Sequence, residues 1–156
     1  MYKTRKIHIL VTKEQADRLK EYKRMYDHAI ESAYDQMMKS NKVIPFRFIQ
    51  WDDHIHSANV WYIYGLAKQR YFHPKAKKRT LSSRWHPSAF QLHHTKIILQ
   101  FSNTISDQLI VFFHERDTLR HEDIKHIIRL DIIYDAPFWF ANFLIHYSDE
   151  HAIITS

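Results

Sequence analysis

The sequence predicts an α+β protein: a small antiparallel β-barrel or sheet with a helical insertion between its first and second strands. Three observations predict it. Apolar residues alternate at the start, in Ile7, Ile9 and Val11. An apolar stripe at three- and four-residue spacing then runs from Leu19 to Met37. Alternation returns between residues 96 and 147. A lone N-terminal strand cannot stand by itself, so it joins the C-terminal strands and the helices become the insertion.

The elements follow in order. Residues 6–11 read as the first strand. Thr12-Lys13-Glu14-Gln15 matches a capping box, with Thr12 as N-cap and Gln15 reaching back. A helix follows to about Lys39, its stripe formed by Leu19, Tyr22, Tyr26, Ala29, Ile30, Ala33 and Met37. Ser40-Asn41 stops it, and Pro45 lies beyond. Residues 46–56 are open between a short strand and a turn. Ser57 caps a second helix over 58–72, which Pro74 ends. Gly65 weakens that helix by about 1 kcal/mol relative to Ala. Residues 73–88 form a basic loop. Four strands follow: around Ile97–Phe101, Leu109–His114, Ile127–Tyr134 and Phe138–Tyr147. Turns at 103–107 and 135–137 join two pairs of them, and a polar excursion with one helical turn spans 118–125. The 156 residues thus read as one domain, with a helical insertion over 13–72 and a β-part at 6–11 and 96–147.

Composition excludes several chemistries. The chain is 45% hydrophobic and 26% charged, enough apolar material for a packed core. No apolar run approaches the roughly 18 residues of a membrane span, and no signal peptide is recognisable behind the basic start Met1–Lys6. Cys is absent, so disulfides, a cysteine nucleophile and Cys-based zinc fingers are excluded. A reducing cytoplasm is the expected location. The single glycine, Gly65, excludes a Walker loop, a dinucleotide loop and a Gly-x-Ser-x-Gly elbow.

Charge is unevenly distributed. Residues 1–53 hold 11 Lys/Arg and 8 Asp/Glu, and residues 107–156 hold 4 and 9. Residues 54–106 hold 8 Lys/Arg and no acid. The dense centre of this block is Lys68, Arg70, Lys75, Lys77, Lys78, Arg79 and Arg84, among the aromatics Trp61, Tyr62, Tyr64, Tyr71, Phe72 and Trp85. Cations neutralise phosphates and release counterions, and flat rings stack on unpaired bases. Lys68, Arg70, Lys75, Lys77, Lys78, Arg79, Arg84, Trp61, Tyr71 and Trp85 are therefore the expected nucleic-acid-binding residues. A solvated basic loop beside core aromatics is the ordinary alternative. The acidic last third is either solvent surface or a docking face for a basic protein partner.

Lys6-Ile7-His8-Ile9-Leu10-Val11 followed by Thr12-Lys13-Glu14-Gln15 resembles the opening strand and helix start of TnpB-type transposon proteins and the related type V CRISPR effectors. Tyr26, Ala29 and Ala33 match the Tyr-x-x-Ala-type stripe of their first helix. Ala136-Pro137-Phe138-Trp139-Phe140-Ala141 is similar to the aromatic turn and strand before their nuclease domain. The resemblance covers nearly the whole chain, by pattern and order. It implies a wedge barrel with a helical recognition lobe that holds a structured guide RNA and reads DNA beside the target. The family's Gly-Ile-Asp-type RuvC motif and Cys-based zinc ribbon are both missing here. The resemblance therefore implies nucleic-acid binding without cleavage, with RNA preferred over DNA.

A competing enzyme comes from His54-Ile55-His56. Two His flanking an apolar residue share one face of a strand and suit a divalent metal. This is similar to the HUH motif of relaxases and small transposases, where a tyrosine nucleophile attacks DNA. Tyr62, Tyr64 and Tyr71 are candidates. Against it, the polar Ser57-Ala58-Asn59 follows the motif and the last third reads as β. Asp52-Asp53 suits a turn, and Glu115 and Asp117 a solvated loop. The pairs His93-His94, His121/His126 and His146/His151 lack metal-ligand spacing.

The expected function is thus a non-catalytic nucleic-acid-binding protein, a regulator or accessory subunit of a mobile-element or phage system. No cofactor, bound metal or membrane contact is expected. The alternatives are the HUH single-strand nuclease and a protein-interaction module that imitates part of a larger RNA-guided effector.

Overall fold

The first strand, β1, spans Tyr2–Leu10 and is longer than its apolar alternation indicates, because polar residues at its start are held by pairing rather than by burial. It belongs to a computed structural model that describes residues 1–52, 54–74 and 82–147. Helix α1 (Lys13–Ser40) begins at the expected capping box. The Thr12 hydroxyl accepts from the Gln15 backbone N–H at 3.2 Å, and the Thr12 N–H donates to the Gln15 side chain at 3.1 Å. The buried stripe is Leu19, Tyr22, Tyr26, Ala29, Ala33 and Met37. Asn41 ends the helix in the left-handed region, at φ 53°, which Asn tolerates better than most residues.

Among the described residues of 46–56 there is no strand. Phe46–Phe48 is a 3₁₀ turn and the rest is irregular where described. Helix α2 spans Ser57–Phe72. Its N-cap is His56, not Ser57: the imidazole Nδ1 accepts from the Ala58 N–H at 3.1 Å. A neutral ring can present a lone pair where Ser or Asn usually does.

The β-part contains two strands that the sequence reading placed in, or just after, the basic loop: β2 (Ser82–Trp85) and β3 (Phe90–Leu92). The remaining strands are β4 (Lys96–Gln100), β5 (Gln108–Phe113), β6 (Ile127–Asp135) and β7 (Phe138–His146), close to the expected spans. A single helical turn, α3 (His121–Ile124), precedes β6. All pairings are antiparallel, in one sheet of order β2-β6-β7-β1-β5-β4-β3. β1 lies at its centre, between β7 and β5, so the helices are an insertion between the first strand and its C-terminal partners.

The sheet is open; β2 and β3 are its two edges. Yet these edges are consecutive in the chain, joined only by His86–Ala89. Five residue steps span at most about 18 Å, whereas seven strands laid flat would put the edges about 29 Å apart. The sheet must therefore curl. Phe90 and Leu92 of β3 and Ile127 of β6 line a common cavity of about 190 Å³ with Pro87 and Ile124. That cavity lies where the β3 edge approaches the start of β6, the strand beside β2.

The concave face packs on α1 and α2 through Ile7, Ile9, Leu99, Val111, Leu130, Ala141 and Phe143. A smaller cluster of Ala33, Met37, Ile49, Tyr64 and Ala67 lies between the helices. Among the described residues, no helix is long and apolar enough to cross a membrane.

Candidate nucleic-acid interface

Helix α2 carries most of the predicted surface that is described. It buries Asn59, Val60, Ile63, Tyr64 and Ala67. The i, i+4 geometry then puts Trp61, Gly65 and Phe72 on the opposite side, and all three are exposed. Trp61 is 57% exposed but held in place, edge-on to Phe46 at 5.2 Å and tilted on Tyr64 at 5.8 Å. The Lys68 ammonium lies 5.0 Å over the Tyr64 ring, a cation–π contact that leaves it half-exposed. Tyr71 is half-buried, edge-on to Phe72. These side chains form a ring-and-cation strip along the helix.

Arg70 leaves that strip. Its guanidinium forms a bidentate pair with the Glu31 carboxylate of α1 and lies 4.2 Å from the Tyr34 ring centre. Arg70 thus ties the helices together, and its charge is paired within the protein. Lys75, Lys77, Lys78 and Arg79 lie outside the described residues.

On β2 the alternation of a strand decides the outcome. Ser82 and Arg84 point outward, Ser83 and Trp85 inward. Trp85 is completely buried. It stacks on Tyr22 at 4.5 Å, stands edge-on to Phe101 at 5.7 Å, and donates its indole N–H to the Ser83 hydroxyl at 3.0 Å. The expectation that Trp85 stacks on a base is therefore corrected: it is a core ring. Arg84 sits 3.5 Å from Asp131, which Arg129 approaches from another side at 3.7 Å. Burial pushes the Asp131 carboxyl up, against the pull of both arginines. Two guanidiniums share one carboxylate, so one positive charge remains over at this corner.

Sequence reasoning missed the buried polar link that holds α2 to the sheet edge. The Asn59 amide donates to the Tyr22 hydroxyl at 3.0 Å and accepts the His86 backbone N–H at 2.8 Å. The Tyr26 hydroxyl accepts the Arg84 backbone N–H at 3.3 Å. Burial pushes the Tyr22 and Tyr26 hydroxyls well up, so both stay neutral. No local pattern signals these contacts, because their partners lie far apart in sequence.

Four carboxylates of the C-terminal third have internal partners. Asp107 pairs with Arg18 at 2.8 Å, Asp117 accepts the His8 backbone N–H at 3.1 Å, and Asp123 pairs with Lys3 and accepts from the Tyr147 hydroxyl. Asp131 is the fourth. They anchor β1, α1 and β2.

His54-Ile55-His56 does not lie on a strand. Ile55 is buried, His54 is exposed, and His56 is the α2 cap. Burial first, then the neighbouring His86, lowers the His56 pKa. The Tyr64 hydroxyl donates to the Ile44 carbonyl at 2.7 Å, and Tyr62 to Ile128 at 3.4 Å. Burial raises the Tyr62 pKa, which does not favour a nucleophilic phenolate. Among the described residues, no three His, Asp or Glu side chains gather as a metal site.

No family model matches the chain, and no curated protein matches it.

Proposed function

We propose that this protein binds nucleic acid without cleaving it, with structured RNA preferred, as a regulator or accessory subunit of a mobile-element or phage system. The observation that carries the reading is the acid-free block 54–106. It supplies a helix face bearing Trp61, Lys68 and Phe72, and then runs into the cationic segment with Lys75, Lys77, Lys78 and Arg79. Rings set beside cations suit a strand whose bases can stack while its phosphates are neutralised. The preference for RNA, and the link to mobile elements, rest on the resemblance to the wedge and recognition lobes of TnpB-type proteins. The placement of β1 between the C-terminal strands, with helices inserted, is compatible with that lobe order.

The test is a titration with structured RNA, single-stranded DNA and duplex DNA, with and without Mg²⁺ or Mn²⁺. The expected result is salt-sensitive binding, tightest for structured RNA, with the nucleic acid left intact. Metal-dependent strand cleavage or a covalent tyrosine adduct would replace this reading with HUH chemistry. No binding to any of the three would shift the assignment to a protein-interaction module.

A further inference from the structure

The convex face of the sheet carries a second aromatic surface, distant in sequence from α2. Ladder register puts Phe140 of β7 opposite His8 of β1. His8 stacks in turn on His114, just after β5, with ring centroids 5.2 Å apart and planes 12° from parallel. Phe138 stands edge-on to His8 at 5.0 Å. In the next row Leu10 is opposite Phe112, and Phe112 is opposite Lys96 of β4. The Lys6 ammonium lies 4.4 Å over the Phe140 ring. Phe138 and Phe112 are each 52% exposed. Neither helix covers them, because α1 and α2 pack on the opposite face with Ile7, Ile9 and Val111.

We propose that this face binds an unpaired nucleic-acid strand, with bases stacked on Phe138 and Phe112 and phosphates drawn to Lys6 and Lys96. The proposal rests on the nucleic-acid reading above and adds a surface separate from α2. Three features select this occupant over a protein. The most exposed rings are flat phenyls, which stack on any base. Lysines lie over one ring and across from another, which suits a polyanion. The paired imidazoles of His8 and His114 carry hydrogen-bonding nitrogens between the phenyl rings, within reach of base edges. Spacing selects an unpaired strand. Phe112 and Phe138 stand on β5 and β7, the strands either side of β1, about 9.6 Å apart, almost three times the 3.4 Å rise per nucleotide of a duplex strand. Bases on the two rings must therefore unstack from one another, which an unpaired strand does readily and a duplex only by breaking its own stack. Asp135, opposite Phe138, bounds the face at the end away from Lys96.

The experiment compares the full chain with the double variant Phe112→Ser/Phe138→Ser, using labelled oligouridine and a fully paired RNA duplex. The expected result is a drop in oligouridine affinity of about tenfold or more, with an unchanged salt slope, unchanged duplex binding and a melting temperature lowered by about 4–8 °C for the two half-buried rings. Ultraviolet crosslinking of oligouridine to the unaltered protein, mapped by mass spectrometry, should give adducts in β5 and β7 and so does not depend on the variant folding. Wild-type affinity in the variant, or adducts confined to residues 54–85, would overturn this face while leaving the broader reading intact. Failure of the unaltered protein to bind any nucleic acid would overturn both. Capture of a protein that the variant abolishes, with oligouridine binding retained, would reassign the face to a protein partner.

Discussion

Replacing Trp85 by Ala removes a ring whose every contact is internal. It forfeits the stack on Tyr22, the edge contact with Phe101 and the hydrogen bond to Ser83. Large-to-small changes of a buried Trp cost about 3–5 kcal/mol, a large share of a domain stability of about 5–15 kcal/mol. For a chain of this length, each kcal/mol shifts the melting temperature by about 2–4 °C, so Trp85→Ala should melt about 6–20 °C lower. Trp61→Ala is the matched control. That ring is 57% exposed and touches mainly Phe46 and Tyr64. Its removal should cost about 1–2 kcal/mol, while weakening RNA binding by about 1–3 kcal/mol if a base stacks on it. Thermal and urea melts followed by circular dichroism, run beside RNA titrations, separate the two. A Trp85→Ala protein that melts like wild type but fails to bind RNA would refute the division into core and surface rings. So would a Trp61→Ala protein destabilised as strongly as Trp85→Ala.

Three further outcomes are expected. Asn59→Leu leaves the Tyr22 hydroxyl and the His86 N–H without their partner, and should destabilise by about 2–4 kcal/mol in urea titration; a change below about 1 kcal/mol would contradict the link. Because burial and His86 lower the His56 pKa in the folded state, the unfolded chain takes up that proton first, so stability should fall as pH drops below about 6.5. His56→Asn keeps a capping acceptor and should flatten that part of the pH–stability curve; an unchanged slope between the two proteins would count against the cap. Gly65→Ala should stabilise by about 1 kcal/mol, since nothing lies within 4 Å of the added methyl; a lower melting temperature would show that α2 packs differently.

What is legible in the sequence is what local pattern encodes. The Thr12–Gln15 box and the stripe from Leu19 to Met37 define α1 because capping and helical periodicity involve residues within a few positions. The alternation of β4 to β7 shows because their concave faces are apolar over whole strands. β2 is hidden because its four residues hold one large apolar side chain, and the strand exists through its pairing with β6. The same hidden alternation makes Trp85 look like a surface ring: composition gives the character of a segment, but only the pleat decides which side chains face water. Arg70 looks available in the sequence because its partner, Glu31, is 39 residues away. The convex aromatic face is invisible for a related reason. His8, Phe112 and Phe140 come together only through the order of the sheet, with β1 set between β5 and β7.

The most direct test of the central claim is the salt dependence of RNA binding by the variant Lys75→Ala/Lys77→Ala/Lys78→Ala/Arg79→Ala. These side chains belong to the block of residues 54–106 that holds eight cations and no acid. Each phosphate that the variant no longer neutralises should lower the magnitude of the log–log salt slope by about 0.7–0.9. The slope should fall by about 3, with affinity weakened across RNA sequences and an unchanged melting temperature. A variant that folds normally and binds RNA with the wild-type slope would contradict it, leaving these four cations without a part in phosphate binding.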